Sequence, residues 1–103
     1  MTDAAAGASL LEQALVVIRS RRGDAREHGI ELLGVVGSVA RGEARPDSDV
    51  DVAYAIVGKS SLFDLGGLAM DIQGDLGRRV DMVDLTRLKP AFRASMERDL
   101  VRA

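Results

Sequence analysis

The chain of 103 residues has the length of one domain, and its 47% apolar and 29% charged residues are typical of a globular protein. A formal charge of −2, with two phenylalanines and one tyrosine, argues against nucleic-acid binding, which needs a basic surface or aromatic platforms. The chain contains no cysteine and therefore no thiolate metal site, and no apolar run approaches the roughly 18 residues of a membrane span. We therefore expect a cytoplasmic domain.

The first predicted element is a helix. Residues 1–8 are predicted to be a flexible leader, without the basic and apolar regions of a signal peptide. Ser9 followed by Glu12 has the pattern of a capping box, so the helix is expected to begin there. It should run to about His28, with Gly29 just past its end.

The rest of the chain alternates strands and helices. Strands are predicted at residues 30–36, 49–57 and 80–85. The intervening helix should open at a second cap formed by Ser61 and Asp64, and the last helix at Pro90, with an inner face of Phe92, Met96 and Leu100. The order αβαβαβ predicts an α/β (α+β) domain over residues 9–103. Its expected core is a three-stranded mixed sheet flanked by helices, with the strand order left open.

Two acidic residues lie two positions apart at the start of the second predicted strand. Because side chains alternate along a strand, the carboxylates of Asp49 and Asp51 are expected on one face, with Val50 and Val52 directed into the core. At roughly 6 Å the two charges repel by a few kcal/mol for an effective dielectric of about 20. A bound cation would remove that cost, and oxygen ligands without nearby His or Cys favour Mg²⁺ or Mn²⁺ over zinc.

A glycine-serine pair follows the first predicted strand. At Gly37-Ser38 the missing side chain lets backbone N–H groups approach a phosphate, and the serine hydroxyl adds a donor. Arg41 is assigned a charge-assisted contact to the same phosphates, with a surface ion pair as the alternative. Ser48 is assigned to the nucleotide site, with capping of the turn as its alternative.

The third predicted strand supplies one more carboxylate. Asp81, between Val80 and Met82, would face the same site if this strand lies beside the second. It is a candidate metal ligand or a base for an attacking hydroxyl, and the alternative is that it caps a turn.

Taken together, these motifs resemble the signature of the DNA polymerase β nucleotidyltransferase superfamily. Gly37-Ser38, ten intervening residues and Asp49-Val50-Asp51 reproduce its spacing. The fuller pattern Gly-Ser-x-Ala-Arg-Gly-Glu-Ala-x-x-x-Ser-Asp-x-Asp is similar to the minimal nucleotidyltransferase (MNT) branch, and the resemblance covers nearly the whole chain.

The resemblance implies a role for each matching residue. Gly37 and Ser38 would hold the triphosphate, Asp49 and Asp51 would bind two Mg²⁺ ions, and Asp81 would be the third carboxylate. The implied chemistry is in-line attack on the α-phosphorus of a nucleoside triphosphate, with ATP the expected substrate, while pyrophosphate leaves.

The resemblance also implies a partner. MNT proteins are frequently antitoxins that AMPylate a tyrosine of a HEPN ribonuclease toxin, so we expect protein AMPylation and a HEPN-type partner. The acceptor surface would come from a partner chain or from homo-oligomerisation. Two alternatives remain open, namely a catalytically idle MNT domain that inhibits its partner by contact, and an enzyme that modifies a small molecule.

Overall fold

Helices alternate with strands along the computed structural model, which describes residues 9–103. The elements in chain order are α1 (Leu10–Glu27), β1 (Ile30–Val36), α2 (Gly37–Ala40), β2 (Val50–Ile56), α3 (Leu62–Leu76), β3 (Val80–Asp84), a 3-10 turn (Leu85–Arg87), α4 (Pro90–Asp99) and β4 (Val101–Arg102). The leader predicted at residues 1–8 lies outside the described residues.

Capping boxes start the two long helices where the sequence predicts them. Ser9 Oγ accepts a hydrogen bond from the Glu12 backbone N–H at 3.0 Å, and the Glu12 carboxylate accepts one from the Ser9 N–H. Ser61 and Asp64 repeat this exchange at the start of α3. Each reciprocal pair satisfies backbone donors that a helix start otherwise leaves open. Gly77, with φ +67°, ends α3 in the left-handed conformation that suits glycine.

The sheet is mixed, with the strand order β3-β2-β1-β4. β2 is antiparallel to β1 and parallel to β3, and β4 is antiparallel to β1. The mixed sheet is confirmed, but the prediction of three strands missed β4. This strand has only two residues after a helix, too few to show the alternation that marks a strand. Gly34 makes room for it, because a Cβ there would overlap the Val101 carbonyl oxygen.

Helices cover both faces of the sheet. The larger core lies under α1 and α3 and includes Ile18, Val52 and Ile72, each fully buried. A smaller cluster on the other face contains Val36 and Ala53 and is covered by the 3-10 turn and α4. Burying one large aliphatic side chain stabilises a fold by about 1.5–3 kcal/mol, so the larger core supplies most of the stability.

The inner face predicted for α4 is partly wrong. Met96 and Leu100 pack against the smaller cluster, but Phe92 is 64% exposed. Residues four apart on a helix are offset by about 40°, so Phe92 lies about 80° around the axis from Leu100 and turns out of the core. Between residues 9 and 103, no helix combines the length and hydropathy needed to cross a membrane.

Candidate active site

The strand register brings two of the predicted carboxylates together. Asp51 pairs with Val36 in the antiparallel ladder, and with Asp81 in the parallel ladder. Neighbouring strands are about 4.8 Å apart, so the two aspartates lie side by side on one face of the sheet. Val36 is the last residue of β1, which places this pair directly beside the start of α2.

Gly37 fits its carboxylate neighbour closely. The residue is buried and has φ +76°, a left-handed conformation that glycine adopts without strain. A Cβ at this position would overlap Asp51 Oδ2, because it would lie closer than the 3.0 Å that side-chain contacts allow. The turn into α2 therefore requires glycine for its backbone angle and also for the space that Asp51 occupies.

Asp49 lies just outside the strand that was predicted to carry it. β2 begins at Val50 and ends at Ile56, one residue inside each predicted boundary. Strand alternation therefore does not by itself orient the Asp49 side chain, whose Oδ1 is 3.4 Å from Nε of the exposed Arg79. The prediction that Val50 and Val52 fill the core is confirmed, since both are fully buried.

The carboxylates interact electrostatically. Burial raises the pKa of Asp51, and the charges of Asp81 and Asp49 raise it further, while Arg41 acts in the opposite direction. Ionising Asp51 is thus costly in the protein alone, and a cation bound at the three carboxylates would lower that cost. Carboxylate oxygens are the donors that Mg²⁺ prefers. The chemistry of the donor set fits such an ion, although in the described part of the chain no three acidic or histidine side chains converge as a ready metal cage.

Arg41 carries the positive charge that acts on Asp51, and it is held by two acidic residues. Its Nε donates to Glu43 at 3.0 Å, and its Nη1 donates to Asp99 at 2.7 Å. These hydrogen bonds, the one to Glu43 first, raise the pKa of Arg41. Asp99 lies at the end of α4, 58 residues along the chain, and nothing in the sequence marks it as a partner. Nucleotide binding by Arg41 stays a prediction, and it requires the phosphates to compete with Asp99.

The two predicted serines occupy different settings. Ser38 lies half-buried within α2, and its carbonyl oxygen accepts from the Glu43 N–H at 2.8 Å. Ser48 Oγ accepts from the Arg45 N–H at 2.7 Å, so the hydroxyl closes the turn before β2. This is the alternative noted for Ser48, while its contact to a nucleotide stays a prediction. Arg78, which carries no sequence signal, anchors the same loop by donating to the Pro46 carbonyl.

Comparison with known proteins identifies the arrangement. Residues 25–100 match the family model described as "Polymerase beta, Nucleotidyltransferase". The chain belongs to this family. A solved chain described as "Structure of putative minimal nucleotidyltransferase" superposes with a TM-score of 0.70 at 35% identity, covering 94% of this chain and 98% of that one. The domain is a minimal nucleotidyltransferase, as its motifs indicated, and the family makes it an enzyme.

Two relatives have more specific names. "Protein adenylyltransferase MntA" of Thermococcus cleftensis is 34% identical over 92 residues, which cover 88% of this chain and 93% of that protein. "Putative protein adenylyltransferase MJ0435" of Methanocaldococcus jannaschii is 30% identical over 67 residues, covering 65% of this chain and 72% of that protein. Both similarities extend over most of the relative, and the first also covers most of this chain.

Proposed function

We propose that this nucleotidyltransferase transfers AMP from ATP to a hydroxyl group of a protein acceptor in a magnesium-dependent reaction. The observation that carries the proposal is the contact between the Gly37 turn and Asp51, with Asp81 beside Asp51 on the next strand. An anion-binding turn and a cation-binding carboxylate pair thus adjoin, as a metal-bound triphosphate requires. The names of both relatives support a protein as the acceptor.

Each residue of the site has a part in this chemistry. Asp49, Asp51 and Asp81 would hold Mg²⁺, which stabilises charge on the attacking and leaving oxygens when it is bound. Gly37 and Ser38 would orient the triphosphate. The acceptor oxygen then forms a bond to the α-phosphorus, the bond to the bridging oxygen breaks, and pyrophosphate leaves. The hydroxyl proton passes to a base, for which Asp81 is the candidate.

A HEPN-type ribonuclease toxin is the proposed acceptor, which makes this chain its antitoxin in the cytoplasm. Residues 9–103 form one sheet domain, and 94% of the chain aligns with the minimal nucleotidyltransferase. In this proposal the toxin itself supplies the surface by which it is held at the active site. Transfer of a nucleotide to a tyrosine hydroxyl adds a bulky anion, which can block RNA binding by charge repulsion.

The test is label transfer to the purified acceptor. We expect label from ATP marked at the α-phosphate, none from ATP marked at the γ-phosphate, and none without Mg²⁺. Asp51→Asn should lower the rate by about a hundredfold or more, since even outer partners of a metal site are worth 10–100-fold. Asp24→Asn, on the exposed surface of α1, is the matched control and should label at the wild-type rate. Equal labelling by the Asp51 variant would refute the proposal.

A second assay separates enzymatic silencing from inhibition by contact. Toxin ribonuclease activity is measured after incubation with Asp49→Asn/Asp51→Asn enzyme and ATP, and then after the enzyme has been removed. We expect the toxin to remain active in both samples. Inhibition by the double variant that disappears on its removal would favour the idle binding domain instead. A labelled small product formed without protein acceptor would favour small-molecule modification.

A further inference from the structure

Arg79 forms an ion pair with one of the three proposed metal ligands. Its Nε donates to Asp49 Oδ1 at 3.4 Å. The Val50 backbone N–H donates to the Arg79 carbonyl oxygen at 2.9 Å, so the backbone of Arg79 is fixed beside Asp49 at the start of the parallel ladder. The side chain of Arg79 is 83% exposed and has room to take another position. The fold thus keeps the guanidinium next to Asp49 and leaves it free to move.

Arg79 differs in this respect from the arginine before it. Arg78 donates to the carbonyl oxygens of Pro46 and Arg45, so its guanidinium is committed to the loop before β2. Within residues 9–103, Asp49 is the one polar partner of the Arg79 side chain. A guanidinium has five N–H donors, so most of those of Arg79 face solvent. Arg79 therefore depends on a carboxylate that a bound metal would also use.

Two arginines offset part of the negative charge of the carboxylate cluster. Asp81 and Asp49 both act on Asp51 as like charges, and Arg41 acts on it as the opposite charge. Arg79 adds a second positive charge, placed at Asp49. In the protein alone, the arginines therefore supply some of the neutralisation that a divalent cation would supply. A cation that binds the cluster makes the charge of Arg79 at Asp49 unnecessary, and the two positive charges then repel.

We propose that Arg79 exchanges partners when the metal-bound nucleotide arrives: Mg²⁺ takes Asp49, and the released guanidinium binds a phosphate oxygen of the triphosphate. An exposed ion pair is weak, so a divalent cation that bonds directly to the carboxylate can displace it. Hydrogen bonds from guanidinium to phosphate are charge-assisted and often bidentate, so the triphosphate is a fitting second partner. The inference rests on the proposed nucleotidyl transfer. It adds a binding residue that lies outside the Gly-Ser and Asp-x-Asp motifs.

The first experiment measures binding of Mn²⁺, which prefers the same oxygen ligands as Mg²⁺, to the full chain without nucleotide. Electron paramagnetic resonance reports the free Mn²⁺. Arg79→Gln removes the competing charge and should bind Mn²⁺ about two- to fivefold more tightly, the usual strength of an exposed ion pair. Arg79→Lys keeps the charge and should bind it as the wild type does. Arg87→Gln is the matched control and should also keep the wild-type affinity, because Arg87 is 87% exposed and pairs with Asp84, outside the carboxylate cluster.

The second experiment measures nucleotide binding in excess Mg²⁺ by calorimetric titration. The ligand is an ATP analogue with a methylene group between its α- and β-phosphates, which cannot release pyrophosphate. Arg79→Gln should bind it about tenfold more weakly, because a charge-assisted contact to phosphate is lost. Arg87→Gln should again match the wild type. A purely structural role of the ion pair would weaken the binding of both ligands, so opposite effects on metal and nucleotide are specific to the exchange.

Either of two results would overturn the exchange. One is an Arg79→Gln variant whose affinity for Mn²⁺ is unchanged or lower. The other is an Arg79→Gln variant that binds the ATP analogue as tightly as the wild type. Both results leave the proposed function standing when the wild type binds Mn²⁺ and transfers AMP. A wild-type chain that binds neither Mn²⁺ nor the analogue would instead contradict the proposed function, and the exchange with it.

Discussion

Replacing Gly37 by alanine tests whether the turn before α2 builds the active site. The added methyl group meets two obstacles. The backbone angle φ of +76° is one that residues with a side chain rarely adopt, and the Cβ would overlap Asp51 Oδ2. The carboxylate has to move, or the turn has to change its conformation. Either response separates the proposed anion-binding turn from the aspartate that it contacts.

The size of the effect follows from these two terms. Holding a non-glycine residue in the left-handed region costs about 1–2 kcal/mol. Overpacking a filled site costs typically another 1–3 kcal/mol. We therefore expect the unfolding free energy to fall by about 2–5 kcal/mol, of which only the overpacking part is recovered if Asp51 swings away. Activity should suffer more, since a misplacement of about 1 Å can cost a hundredfold in rate.

Gly77→Ala provides the matched control for this variant. Gly77 has nearly the same backbone angle, φ +67°, but a Cβ there meets nothing within 4 Å. Gly77→Ala therefore carries only the free-energy cost of the left-handed backbone, and it lies at the end of α3, away from the candidate nucleotide site. Both variants are compared by urea denaturation, by calorimetric titration with MgATP and by α-phosphate label transfer.

The two variants should therefore differ in function. Gly77→Ala should lose about 1–2 kcal/mol of stability and keep the wild-type transfer rate. Gly37→Ala should lose about a hundredfold in transfer, measured at a temperature where it is still folded. If Gly37→Ala transfers label at the rate of Gly77→Ala, the contact between the turn and Asp51 does not organise the site, and the reasoning fails.

Three further predictions concern individual polar contacts. Asp99→Asn releases Arg41 from its 2.7 Å ion pair and should tighten MgATP binding about two- to fivefold, the usual worth of an exposed pair; unchanged affinity in calorimetric titration would show that the two do not compete. The hydrogen bond from Arg21 lowers the pKa of Asp75 below 3.8, so ionised Asp75 stabilises the fold above pH 3.8, and this contribution is lost as pH falls through the lowered pKa. Asp75→Asn should flatten the curve of unfolding free energy against pH below about pH 3.8. A curve identical to that of the wild type would contradict this prediction. Ser61→Ala removes the cap of α3 and should cost about 1 kcal/mol, a fall in Tm of about 4–8 °C in calorimetry; no change in Tm would count against the cap.

Local chemistry made most of the fold predictable. Both capping boxes depend on residues three apart, so the sequence displays them directly. β1 was predicted at its observed bounds because a short apolar run between turn residues has few other interpretations. The helix end at Gly29 was predicted from the left-handed angle that glycine favours just past a helix, and Gly29 has φ +72°.

The features that escaped prediction depend on contacts between distant parts of the chain. β4 exists because Gly34 lets a two-residue segment approach β1, and such a short segment has no pattern of its own. Phe92 lies outside the core because α4 packs against the sheet through its later turns, at Met96 and Leu100. Tertiary packing determines this, and the sequence of the helix alone does not show it. The partner of Arg41 is fixed only when α4 folds back toward α2.

The site was predictable to the same degree and for the same reason. The Gly-Ser and Asp-x-Asp motifs are local, so their residues could be named, but strand alternation was expected to align Asp49 with Asp51, and β2 begins one residue too late for that. What aligns the carboxylates is the sheet itself. Asp81 reaches Asp51 because β3 runs parallel to β2 in a register that pairs them directly. A one-residue slip of β3 would turn Asp81 to the opposite face. We therefore expect a change that shifts this register to disturb the proposed site as much as a change of the aspartates themselves.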